Sequence, residues 1–161
     1  MKKIILNIFV FLFLSHCGFS PIYSKNNNQN FDLNIISIKG DRLINNSIIS
    51  NLNRNKNDQT TNKFDIEIAT EYEKIINSKD KTGATSSYQL KASSEFNIKN
   101  ENFNERVTFT EKFIMDKNEN LFDEKNYERT IKKSFASSIS GKIILKLNSI
   151  KWLLSPMKLK K

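Results

Sequence analysis

The chain has 161 residues, a formal net charge of +9 and a mean hydropathy of −0.51. That length suits one domain able to bury its own core, and a lone cysteine excludes an internal disulfide framework. The positive balance points to anionic partners such as phosphorylated lipids or acidic protein surfaces, although a general richness in Asn, Lys and Ile, of the kind an AT-rich genome imposes, accounts for part of it.

Lys2 and Lys3 precede an apolar run from Ile4 to Leu14 that only Asn7 interrupts. Spanning a bilayer takes about 20 apolar residues, so this run has the length of a signal-peptide core instead. Leu14-Ser15-His16-Cys17 resembles the bacterial lipobox, which implies cleavage between His16 and Cys17 and acylation of the Cys17 sulfur. His16 departs from the small residue usual at its position. Each buried acyl CH₂ contributes about 0.8 kcal/mol, so two or more chains hold a protein stably on a membrane. Gly18 in place of Asp at the second mature position resembles the sorting signal for the outer membrane. A plain secretory leader with an incidental cysteine is the competing reading. Export argues against nucleic acid as the anionic partner. The chain therefore divides into a lipoprotein signal peptide (1–16), a lipidated N-terminus and flexible tether (17–30), a folded domain (31–154) and a basic C-terminal tail (155–161). Ser24 to Asn30 carries no apolar side chain, as a tether requires.

Phe31 to Ile35 alternates in polarity, and Ile36-Ser37-Ile38 continues on the opposite parity, which predicts a strand with a bulge. Gly40-Asp41 ends it, Asp41 being a good N-cap. Ile44, Ile48, Ile49 and Leu52 then mark one face of a helix that ends near Asn55. Three segments alternate with period 2: Phe64 to Tyr72, Tyr88 to Lys99, and Val107 to Met115, with Glu111 the one charge on the last apolar parity. These read as long antiparallel strands, each with one buried and one wet face. Asp65, Glu67 and Glu71 line the first wet face and lysines the second, a cross-strand pairing worth about a few tenths of a kcal/mol per pair. Ile75 to Ser87 and Asn100 to Glu105 read as the connecting loops. A long final helix, capped by Asp123, carries Tyr127, Ile131, Phe135, Ile139, Ile143, Leu147 and Ile150 on one face until Ser155-Pro156 stops it. Gly141 within it reads as a close approach to the sheet. Trp152 near its end suits core, membrane interface or partner alike.

The order β-α-β-β-β-α predicts an α+β fold, a two-layer α/β sandwich with two helices packed on one face of a four-stranded mixed sheet. Cys17-Gly18-Phe19-Ser20-Pro21-Ile22-Tyr23 is similar to the Cys-Gly-Phe-x-Pro-x-Tyr start of the LPS-assembly lipoproteins (LptE-like). Thr82 to Leu90 resembles that family's entry into its third strand, and the element order matches as well. The resemblance implies an outer-membrane lipoprotein seated in the lumen of the LPS-assembly β-barrel (LptD-like). There it would help that barrel assemble and pass lipopolysaccharide to the outer leaflet.

The residues themselves argue against an enzyme. His16 is the only histidine and leaves with the leader, so none remains for acid–base work, zinc ligation or a Ser-His pair. The four glycines are scattered and form no phosphate loop. No cofactor and no metal are expected. For an anionic ligand the candidates are Lys79 and Lys81 in the first hairpin loop, with Lys91 and Lys99 on the wet strand face. The bland alternative is that all four are ordinary solvated lysines. Two functions stay open: a subunit of the LPS translocon, and a stand-alone envelope lipoprotein that carries an anionic lipid or glycan.

Overall fold

The computed structural model describes residues 31–60, 62–101 and 103–154, the last four of these by their helical backbone. The expectations for the signal peptide, Cys17 and the tether, for the tail 155–161 and for the Trp152 side chain lie outside the described residues. Six elements follow one another: β1 (Asp32–Gly40), α1 (Arg42–Asn55), β2 (Lys63–Lys79), β3 (Thr85–Asn100), β4 (Phe103–Asp116) and α2 (Leu121–Leu154). The strands form one sheet in the order β1-β2-β3-β4. The first pair is parallel and the other two are antiparallel. This is the expected two-layer arrangement of two helices and a mixed sheet.

The parity change in β1 is a bulge, because the register slips between Ile35 and Ser37 and leaves Ile36 as the extra residue. Gly40 then turns the chain at φ +90°. A side chain there is excluded, since a Cβ would lie 1.8 Å from the Thr70 carbonyl oxygen. Asp41 caps α1 as expected, its Oδ1 accepting from the Ile44 amide at 2.9 Å.

The core forms between the helices and one face of the sheet. Ile44, Ile48 and Leu52 of α1, with Ile131, Phe135, Ile139, Ile143, Leu147 and Ile150 of α2, are buried together with Phe64, Ile66 and Ile68 of β2 and Leu90, Ala92, Phe96 and Ile98 of β3. Each large apolar side chain so buried contributes about 1.5–3 kcal/mol. Thr70 and Ser94 interrupt this face but satisfy each other, their hydroxyls 2.7 Å apart. Although α2 is 34 residues long, no described helix is long and apolar enough to cross a membrane.

Several details differ from the sequence expectation. Residues 75–79 and 85–87 are strand, so the first hairpin loop is only Asp80 to Ala84. Register slips at Ile76/Ser78 and Ser78/Lys79 break the alternation there and disguise the strand as a loop. Likewise β4 begins at Phe103, and that ring packs on the core edge. The cap of α2 is Asn120, three residues before the expected Asp123: its Oδ1 accepts from the amides of Phe122 at 2.9 Å and Asp123 at 3.4 Å. Tyr127 stands outside the core, half exposed, edge-on to Phe113 at 6.2 Å between ring centroids. Gly141 is exposed, and a Cβ there would meet nothing within 4 Å, so it does not serve close packing on the sheet. Glu111 does lie on the helix side of the edge strand β4. Its Oε1 accepts from Lys142 Nζ at 2.6 Å and from Ser138 Oγ at 2.7 Å, so the helix neutralises this charge.

The two glycines predict opposite outcomes. Gly40→Ala is expected to lose at least about 2 kcal/mol, from strain and the collision with Thr70. Gly141→Ala is expected to gain about 0.5–1 kcal/mol from improved helix propensity. Urea unfolding midpoints of the two variants should move in opposite directions, and movement in the same direction would contradict this assignment.

Candidate functional site

At the far end of the sheet β2 and β3 run past the end of β4 and, beyond Ser78 and Ser87, project as a two-stranded hairpin. Asp80 organises its tip: Oδ1 accepts from the Thr82 amide at 2.8 Å, the Thr82 hydroxyl at 2.6 Å and the Ala84 amide at 3.0 Å. The same contacts, the Thr82 hydroxyl foremost, hold the Asp80 carboxyl below the usual range. Its backbone amide donates to the Ala84 carbonyl at 2.8 Å. Lys79 and Lys81 therefore flank a locally constrained turn and are both exposed. The base of the hairpin is tied by Ser78 to Ser86 at 2.7 Å and by the Asn77 amide to Ser87 at 3.0 Å. The Lys117 amide donates to the Ser86 carbonyl at 2.9 Å, which brings a third lysine beside the hairpin base.

Below the turn, the same end of the domain exposes large apolar side chains. Ile76 is 55% exposed, Ile114 58% and Phe122 71%, with Ile75 and Leu121 also exposed. Ile75 and Ile114 flank Gln89 across three neighbouring strands, whereas Ile76 lies in register with Tyr88 and Met115. This end of the sheet thus exposes apolar side chains on both faces, Ile75 and Ile114 on the wet face and Ile76 on the helix side. Beneath basic residues it is chemically amphipathic.

The four candidate lysines do not form one site. Lys79 and Lys81 share the tip. Lys91 and Lys99 lie on the wet face of β3, separated from each other by about 26 Å of strand, and each has a carboxylate partner: Glu73 at 3.2 Å and Glu67 at 2.9 Å. Lys117 and the apolar rim were not legible as site residues. Ile75 and Ile76 sit where alternation fails, and Leu121 and Phe122 precede the expected helix cap.

A polar seam fixes the start of α2 against this end. Lys74 Nζ reaches Glu124 at 2.8 Å and Glu128 at 2.9 Å and lies over the Tyr88 ring at 4.3 Å. The Tyr72 hydroxyl donates to Glu128 at 2.8 Å. Lys132 Nζ sits 3.7 Å above the Tyr72 ring and pairs with Asp41 at 2.7 Å. Burial opposes ionisation of Tyr72 and, with the Glu128 carboxylate beside it, pushes its phenol well above the usual range. The Lys74 ammonium holds the Glu124 carboxyl below its ordinary value of 4.5, against the opposing effect of burial. Because the folded state lowers this pKa, the stability it contributes is present above about pH 4.5 and is lost as the pH falls through the folded value. Glu124→Gln is expected to cost about 1 kcal/mol at neutral pH, since Lys74 keeps Glu128. It should also flatten the acid limb of the stability–pH curve. Denaturant melts from pH 7 to pH 3 check both, and an unchanged acid limb would show that the pair carries no linkage.

No protein-family model matches the chain, and no curated protein matches it. Among solved structures, rare lipoprotein B from Shewanella oneidensis superposes with a TM-score of 0.58 at 13% identity, over 75% of this chain and 98% of that one. A lipoprotein from Caulobacter crescentus superposes with a TM-score of 0.52 at 10% identity, over 77% of this chain and 93% of that one. At such identities the likeness is one of fold, and it extends over almost the whole of both solved lipoprotein chains.

Proposed function

We propose that this chain is an outer-membrane lipoprotein, cleaved after His16 and acylated at Cys17. In this reading it associates with the LPS-assembly β-barrel, assists its assembly and helps deliver lipopolysaccharide to the outer leaflet. The observation that carries the reading is the amphipathic end of the domain, where Lys79 and Lys81 on a constrained turn stand beyond Ile75 and Ile114, exposed together on the wet face, and Ile76, exposed on the helix side. A phosphorylated, acylated glycolipid offers the complementary pair of surfaces: anionic groups for the lysines and acyl chain for the rim. The shared fold with solved lipoproteins and the lipobox-like Leu14 to Cys17 support the anchoring half. The largely polar wet face of the sheet, with its carboxylate–lysine pairs, suits the water-filled lumen of a large barrel. The role is one of binding and assembly, without catalysis.

Purification from native membranes in mild detergent tests this reading. The chain is expected to co-elute with a large outer-membrane β-barrel, and Cys17→Ala is expected to shift it from the membrane to the soluble fraction. Recovery alone with bound lipid would favour the carrier instead. The double variant Lys79→Glu/Lys81→Glu is expected to weaken lipopolysaccharide binding by about tenfold or more and to leave barrel co-elution unchanged. Equal loss of both, or of neither, would remove the tip from the lipopolysaccharide site.

A further inference from the structure

The side of the helix pair that faces away from the sheet carries a second basic feature, remote from the hairpin. A shallow cleft of about 350 Å³ opens between α1 and α2, and no carboxylate and no apolar side chain lines it. The contacts Asp41–Lys132 and Asn51–Ser140 show that the two helices run in the same direction. Arg54, one turn beyond Ser50 on α1, therefore stands at one end of the cleft, and Lys133, one turn before Ser137 on α2, at the other. Ser50 and Ser137 lie between them, with Ser47, whose hydroxyl donates to the Leu43 carbonyl at 2.9 Å. Asn51 bridges the helices with its amide nitrogen on Ser140 Oγ at 3.3 Å, and its Oδ1 accepts from the Arg54 guanidinium. The Arg54 Nε donates to the Ser50 carbonyl at 3.3 Å. The guanidinium is thus aimed by neutral oxygens. Among the described residues neither Arg54 nor Lys133 has a carboxylate within salt-bridge distance, whereas nine other cations do.

We infer that this cleft is a binding site for a phosphate group carried on a polyol, either a sugar phosphate or the headgroup of an anionic phospholipid. A guanidinium at one end and an ammonium at the other, with serines between, give a phosphate a charged partner at either end of the cleft and leave donors over for ring or glycerol hydroxyls. The volume exceeds that of a single phosphate and sits at the lower end of ligand-site sizes. The site is distinct from the hairpin tip. Asp41 donates its amide to Thr70, which sets the level of the upper cleft on β2, and from Thr70 to Asp80 the strand extends about 30 Å further.

Calorimetric titration of the full-length protein in neutral detergent tests the inference. The probes are glucosamine 1-phosphate, unphosphorylated glucosamine, and the same micelles doped with phosphatidylglycerol. Saturable binding of at least one phosphorylated probe is expected, with none of glucosamine. The double variant Arg54→Gln/Lys133→Gln should weaken it by about tenfold or more, and Ser137→Asp, which sets a carboxylate in the cleft, should weaken it comparably. Lys79→Glu/Lys81→Glu should leave it unchanged, which separates this site from the lipopolysaccharide reading. Whichever phosphorylated probe shows the Arg54/Lys133 dependence identifies the source of the phosphate. Absence of saturable binding to either probe, or binding that all the cleft variants retain in full, would overturn the assignment.

Discussion

Ile44, Ile48 and Leu52 of α1 and the apolar stripe from Ile131 to Ile150 of α2 cover alternate residues of β2 and β3, and the extent of that cover governs the rest of the molecule. Where helices lie over the sheet, alternate strand residues are dry and the opposite ones are wet. Where the strands outrun the helices, the same kind of residue is left in water. Beyond Ser78 and Ser87, where β4 has ended, the hairpin is held by backbone pairing and by hydroxyl and amide contacts of Asn77, Ser78, Ser86 and Ser87, not by a core. Ile76, on the helix side beside Tyr88 and Met115, is exposed where the cover of the helices stops, whereas Ile75 and Ile114 are exposed because they lie on the wet face.

Between covered and uncovered regions lies the seam of Asp41, Lys132, Tyr72, Glu128, Lys74 and Glu124. Charges taken this far from water need partners on every side, and each of these has one: a cap amide, a ring face, a hydroxyl or an opposite charge. The seam sets the angle at which α2 begins and thereby where Leu121 and Phe122 emerge. Glu111–Lys142 and Glu105–Lys146 continue the same logic along β4, clamping the edge strand to the helix through charge where apolar burial is thinner. The basic tip and the basic inter-helix cleft then lie on opposite sides of this seam, one on strands and one on helices. The domain therefore has two separate basic regions on its surface.

Much of this was legible in the residues themselves. The bulge at Ile36, the cap at Asp41, the wet-face pairing of Glu67 with Lys99, and the hairpin tip around Lys79 and Lys81 all follow from parity and local chemistry. The misreadings have local causes too. Bulges near Ser78 hid the ends of two strands. Asn120 supplies the same capping oxygen as Asp123 from a position the apolar pattern does not reach. Gly141 reads as a close approach from sequence alone, although no neighbour approaches it.

Periodicity along the chain determined that one sheet face and one stripe on each helix would be buried, because a strand turns its side chains every second residue and a helix every three to four. The single histidine, within the expected leader, made binding rather than catalysis the expectation. Only the tertiary structure decided which apolar residues go uncovered, which lysines meet a carboxylate, and that Arg54 and Lys133, far apart in the chain, line the same cleft. Those outcomes depend on how far one element reaches over another and on which residues two helices bring side by side, and neither distance is written in the local order of residues.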